Sequence, residues 1–119
     1  LIVERSFDFA LKTISLFIEL RKQKEFIISK QVLRSGTSIG ANIEEAQGAQ
    51  SKRDFIAKMS IALKEARETC YWIELLDKSA LAEVELGTYK AEILIIIKLL
   101  TKIIKKSKET IHRAPLTIH

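Results

Sequence analysis

The sequence predicts an all-α fold, an antiparallel up-down-up-down four-helix bundle, and three observations carry that reading. Apolar residues recur at helical spacing along four segments of about 20 to 27 residues each. One proline and four glycines in 119 residues leave little punctuation for the turns that many short strands need. The third observation is a lean stretch at residues 35–50. There Gly36, Gly40 and Ala41 leave almost no bulk between two helical rows, Ser35-Ser38-Asn42-Glu45 and Val32-Ile39-Ile43-Ala46. Each glycine in a helix interior costs about 1 kcal/mol relative to alanine. The usual return is close approach by a neighbouring helix, so residues 35–50 read as the seam of a bundle.

The first helix is expected over residues 3–22. Val3, Phe7, Ala10, Ile14, Phe17 and Arg21 recur at steps of four and three, and Leu11 and Ile18 widen that face. No Gly or Pro marks its end, which is inferred from the change of phase at Arg21 to Glu25, where cations suit a helix C-terminus. The second helix should run from about Glu25 to Gln47 and stop at Gly48, which can take the left-handed conformation that closes a helix. Ser51-Lys52-Arg53-Asp54 is a capping arrangement directly before an apolar pattern, and it marks the firmest boundary.

The third helix, about Lys52 to Lys78, carries Phe55, Met59, Ala62, Ala66, Cys70 or Thr69, Ile73 and Leu76 in nearly a heptad row. The small residues at its middle are expected to face the lean part of the second helix. Trp72, outside that row, suggests a second buried surface. After a connection at Asp77 to Ala82, with Ser79 a candidate cap, the fourth helix runs from roughly Glu83 to Lys108. Its core row is Leu86, Tyr89, Ile93, Ile96 or Ile97, Leu100, and Ile103 or Ile104. Leu94, Ile95 and Leu99 fill its other faces, so this helix needs cover on more than one side, and subunit contacts are expected there. Pro115 is expected to end the helix. The bundle then occupies residues 1–113, with 114–119 as a tail, and the longer helices extend roughly 35–40 Å at about 1.5 Å per residue.

A chain of this length is one domain with a single core. An apolar share of 47% beside 29% charged residues excludes a disordered chain. The most apolar run, Ile93 to Ile97, is cut by Lys98 and is too short for a membrane span. One cysteine, Cys70, cannot form an internal disulfide and suits a reducing cytosol, so a cytoplasmic location is expected; its place in a helical pattern reads as packing, with a reactive thiol the minor alternative. No signal peptide is visible, and a start at Leu1 is consistent with N-terminal sequence outside the chain.

Net charge is +5, and residues 1–89 balance 13 basic against 13 acidic residues. The whole excess lies in residues 90–119, with seven cations against Glu92 and Glu109. Lys98, Lys102, Lys105, Lys106, Lys108 and Arg113 are therefore the candidate phosphate-binding residues. The competing reading is a solvated helix end whose cations complement the dipole.

Catalytic constellations are poorly supported. Di-iron bundles need Glu-x-x-His pairs, and the only histidines, His112 and His119, lie at or beyond the end of the fourth helix, so neither metal nor cofactor is expected. Glu65-x-x-Glu68 and Glu74-x-x-Asp77 match the strings of magnesium-dependent nucleotide pyrophosphohydrolases, but both fall on one helix, interleaved with Lys64, Arg67 and Lys78 as on an ion-paired solvent face. Arg113 and His119 have the spacing of a helical-bundle ribonuclease signature, with Pro115 between them. No Ser/His/Asp set, Cys/His set or phosphate-cradling glycine loop is present, so the chain reads as non-enzymatic; a small nuclease or nucleotide hydrolase is the alternative. The Ser35, Ser38, Asn42 and Glu45 stripe reads as structural, fixing register with Arg34 or Arg67 as charge partner, over a ligand groove.

Residues 35–76, with Ser38-Ile-x-x-Asn42-Ile-x-Glu45 followed by Ser51-x-x-Asp54-Phe55, resemble the 23S rRNA intervening-sequence proteins, also called four helix bundle proteins. The flanking helices match in length and pattern, so the resemblance covers nearly the whole chain. Glu45-Ala46 stands where many members have Glu-Gly, a departure of the kind a subgroup shows. The resemblance implies an antiparallel bundle assembling into a ring-shaped homopentamer. The related accessory protein of diversity-generating retroelements implies a basic surface for RNA or DNA and a reverse transcriptase as protein partner. It implies no catalytic residues, and Ser38, Asn42 and Glu45 are its signature positions.

Overall fold

The computed structural model describes the backbone of residues 1–117 and the side chains of residues 1–111. Four helices follow in order: α1 Ile2–Lys22, α2 Ile28–Gln47, α3 Lys52–Ser79 and α4 Gly87–Thr117. Each packs on its neighbours in the order α1, α2, α3, α4, and α4 closes back on α1 through a narrower contact; among the described residues the backbones of the diagonal pairs stay apart. The expected four-helix bundle is therefore the fold. Ion pairs tie consecutive helices in antiparallel register: Glu45 to Lys58 between α2 and α3, Asp77 and Glu74 to Lys90 between α3 and α4. The bundle measures 62 × 23 × 21 Å, longer than its helix lengths led us to expect.

The core holds the expected rows of three helices. Val32, Ile39, Ile43 and Ala46 of α2 are buried, as are Met59, Ala62, Ala66, Ile73 and Leu76 of α3 and Ile93, Ile96, Leu100 and Ile104 of α4. Helix α1 is a correction. Its buried row is Ser6, Phe9, Thr13, Leu16 and Leu20, whereas Phe7, Leu11, Ile14 and Ile18 face outward.

The cause is the lean seam, whose two glycines face α1. A Cβ on Gly36 would lie 2.5 Å from Thr13 Cγ2, and one on Gly40 would lie 3.3 Å from the Ser6 carbonyl oxygen. Only short side chains fit against those glycines, so α1 turns Ser6 and Thr13 inward. Their hydroxyls donate to the Val3 and Ala10 carbonyls of their own helix at 3.0 and 2.7 Å, which satisfies both buried groups.

The connections also depart from expectation. Helix α1 ends in a Schellman arrangement with Lys24 at φ 65° in the glycine position; Glu25 N–H donates to the Leu20 carbonyl and Lys24 N–H to that of Arg21. Helix α2 begins at Ile28 because Glu25 stays outside as a cap, its carboxylate accepting from the N–H groups of Ile27, Ile28 and Ser29. Gly48 is not left-handed, at φ −98°, whereas Ala80 after α3 is, at φ 53°. Ser79 ends α3 and caps nothing downstream; its hydroxyl donates back to the Leu76 carbonyl.

Ser51 caps α3 as expected, accepting from Asp54 N–H at 3.0 Å. Helix α4 starts at Gly87, after a non-helical segment that buries Leu86. It continues through Pro115 to Thr117, where a tail was expected. A proline's fixed φ is helical, and so near a terminus its missing N–H removes one hydrogen bond of a long ladder. No helix among the described residues is long and apolar enough to cross a membrane.

Candidate nucleic-acid and subunit interfaces

The lysines of α4 emerge from the row arithmetic of a single helix. Lys98, Lys102 and Lys105 recur at steps of four and three, which places them on one side, and all three are exposed. Lys106 and Lys108, also exposed, widen that band on either flank. None of the five joins an ion pair among the described residues, in contrast to Lys58 and Lys90. The Arg113 side chain lies outside the described residues.

Helix α4 carries two different margins beside this band. Lys90, Leu94, Ile97 and Thr101 form one row, and Lys90 reaches Glu74 and Asp77, so this row lies toward α3. Glu92 pairs with Arg5 of α1 at 3.1 Å, so Ile95 and Leu99, at the next steps of three and four, lie toward the α1 side. The three residues expected at a subunit contact are thus divided between two margins. Leu94 and Ile95 are exposed, and Leu99 is half-buried. Leu94, Ile97, Lys98, Thr101, Lys102 and Lys105 line an open cleft of about 610 Å³.

An exposed apolar row lies on α1, where sequence periodicity had placed the core. Phe7 is 63% exposed and Leu11 and Ile18 are 50% exposed each. The α1 row continues onto α2 as a groove of about 620 Å³ that includes Val3, Phe7, Ala10, Gly40 and Ala41. Exposed side chains of this size at consecutive helical steps form a patch of the kind that marks contact surfaces. The signal was present in the sequence as two competing apolar rows; what was missing was which one the glycines exclude.

The signature positions have local partners. Ser38 donates to the Arg34 carbonyl at 2.7 Å, and the Asn42 amide donates to the Ser38 carbonyl at 2.8 Å, both within α2. Glu45 pairs with Lys58 at 2.9 Å, not with Arg34 or Arg67. Arg34 instead bridges to Glu65 and Glu68 of α3, and Glu68 also accepts from the Trp72 indole at 3.0 Å. The buried polar link between α2 and α3 is Thr69 to Ser35, hydroxyl to hydroxyl at 2.8 Å; the Ser35 hydroxyl donates in turn to the Gln31 carbonyl.

The carboxylates considered for hydrolysis are occupied. Glu65 and Glu68 hold Arg34, while Glu74 and Asp77 hold Lys90. Hydrogen bonds from Lys90, with its charge, keep the Asp77 carboxyl below its ordinary range and raise the Lys90 ammonium in return. No cluster of three metal-ligating side chains occurs among the described residues. His119 lies outside them. Cys70 is half-buried against the core, and that burial pushes its thiol up, away from the reactive thiolate.

Comparison with known proteins agrees with this architecture. The chain is similar to a crystallised protein of unknown function from the S23 ribosomal protein family of Bacteroides thetaiotaomicron, at 50% identity and a TM-score of 0.84. The match covers 88% of this chain and 99% of that one. No curated protein matches the chain. Residues 1–102 match the family model described as 23S rRNA-intervening sequence protein, and the chain belongs to that family.

Proposed function

We propose that this chain is a non-enzymatic, homo-oligomeric bundle that binds nucleic-acid phosphates through the basic side of α4. The observation that carries the reading is that Lys98, Lys102, Lys105, Lys106 and Lys108, over three turns of one helix, join no ion pair among the described residues. Clustered lysines raise one another's electrostatic cost, which a polyanion relieves by releasing its own counterions. No aromatic side chain interrupts the band, so the contacts are to phosphate and not to stacked bases. The exposed α1 row supports self-association, because water is a poor partner for Phe7, Leu11, Ile14 and Ile18 together. The occupied carboxylates of α3 favour this reading over a nuclease or nucleotide hydrolase. A reverse transcriptase, as the resemblance suggests, is a partner such a nucleic-acid scaffold would serve.

The test is affinity for single-stranded RNA and duplex DNA across a salt series. Log affinity should fall linearly with log salt, and Lys105→Gln with Lys106→Gln should flatten the slope by about one for each lysine removed. A variant that binds as tightly as the parent chain at every salt concentration overturns the proposal.

A further inference from the structure

The groove between α1 and α2 has a chemistry opposite to that of the α4 band. Gly40 lets the two helices meet closely beneath it, since a Cβ there would lie 3.3 Å from the Ser6 carbonyl oxygen. Val3, Phe7, Ala10 and Ala41 give it an apolar lining, and at about 620 Å³ it has the capacity of a small-ligand site. The carboxylates of Glu4, Asp8 and Glu44 stand among these residues, and no basic side chain does.

Those carboxylates are short of partners. Among the described residues Asp8 and Glu44 join no ion pair, and Glu4 meets only the Leu1 amino group, at 3.0 Å. Arg5, the basic residue beside them on α1, is turned toward α4, where it holds Glu92. Glu44 is also set against the field of its own helix. It lies in the last turn of α2, which has no basic residue, at the end where a helix favours cations. Its neighbour Glu45 is answered from α3 by Lys58, and Glu44 is not. Negative charge without a counterpart thus lies over an apolar surface, with the exposed Phe7 ring beside it.

These features together select one class of ligand. An inorganic cation would use the carboxylates and leave the apolar lining in water. A neutral apolar molecule would use the lining and desolvate the carboxylates for no return. An aliphatic ammonium uses both, because its methylenes cover apolar side chains while its charge meets the carboxylates and the face of Phe7. Glu4 and Asp8 are one turn apart on α1, about 5–6 Å between Cβ atoms, and Glu44 comes from α2, so more than one ammonium can be met. We propose that the α1/α2 groove binds an aliphatic polyamine, with its ammonium groups on Asp8, Glu44 and Glu4 and its methylenes on Val3, Phe7, Ala10 and Ala41. The groove shares no residue with the α4 lysine band, so this site and phosphate binding can fail separately.

The experiment is isothermal titration calorimetry of the full chain at low ionic strength, with spermidine and with Mg²⁺ as probes. Spermidine should bind once per chain and at least about tenfold more tightly than Mg²⁺, and Asp8→Asn with Glu44→Gln should weaken it by at least about tenfold. Ala41→Leu fills the apolar lining and leaves every carboxylate in place; it should weaken spermidine to a similar degree. Lys105→Gln with Lys106→Gln should bind spermidine as the parent chain does. Circular dichroism confirms that the variants are helical, as expected for changes at exposed positions. Spermidine that binds no more tightly than Mg²⁺, or binds Ala41→Leu as well as the parent, reports charge alone and overturns the proposal. An amphipathic Lys/Leu peptide that binds where spermidine does not would make the groove a protein-docking surface and overturn it equally.

Discussion

Replacing Gly36 by alanine sets two effects of known size against each other. Alanine in a helix interior is worth about 1 kcal/mol over glycine, so an open site would gain stability. Here the new Cβ would lie 2.5 Å from Thr13 Cγ2 and 3.1 Å from Thr13 Cβ and Oγ1. Thr13 is fully buried, stiff at χ1, and tied by its hydroxyl to the Ala10 carbonyl at 2.7 Å. It cannot swing aside cheaply, so relief comes from α1 and α2 moving apart, at an overpacking cost of about 1–3 kcal/mol. The net expectation is a loss of about 1 kcal/mol.

Thr13→Ser removes the clashing methyl and keeps the hydroxyl; alone it should cost about 1 kcal/mol for the lost buried carbon. In the double variant the new Cβ occupies the space the methyl vacates. Its stability should return to near the parent value or above it, a coupling of about 2 kcal/mol. Urea unfolding followed by circular dichroism measures all four corners, at one fixed protein concentration because any self-association would shift apparent stability. Gly36→Ala as stable as the parent, or four corners that simply add, would refute the close-approach account of the seam.

The remaining expectations concern the cap of α2 and the α3/α4 ion pair. Glu25→Ala should destabilise the chain by about 1–2 kcal/mol in the same urea assay, since three backbone N–H groups lose a charged acceptor; an unchanged midpoint would mean that water serves the helix end as well. Asp77 titrates below its ordinary range, so its contribution to stability is complete above the unfolded carboxyl's pKa and is lost as pH falls through the lower folded value. Lys90 is raised, so its share is present below the unfolded ammonium's pKa and is lost as pH rises through the higher folded value. A carboxyl-detected NMR titration should place Asp77 below the ordinary range and return it there in Lys90→Met; a midpoint unmoved by that change would exclude Lys90 as the cause.

Much of the architecture was legible in the chain because it depends on spacing alone. The helical rows of α2, α3 and α4, the Ser51 cap and the charge excess after residue 90 each follow from residue type and separation, and the structure retains all of them. Helix ends were less legible, for reasons specific to each. Lys24 and Ala80 adopt the left-handed conformation without being glycine, and Glu25 caps by reaching forward to three amides, a role that Ser, Thr, Asp or Asn usually signals. The candidate site was legible as composition, in the α4 lysines, and not as geometry: Leu94, Ile95 and Leu99 turned out to serve different margins.

What the sequence determined by itself was therefore the set of helices, their order and the end of the chain that carries the charge. Which face of α1 goes inside was decided only by tertiary structure. Periodicity favours the row through Phe7 and Ile14, because it is the more apolar of the two. The close approach at Gly36 and Gly40 admits only Ser6 and Thr13, so steric fit overrides hydrophobicity and leaves the greasier row outside. A local pattern records how oily each side of a helix is, but not how near the next helix will come.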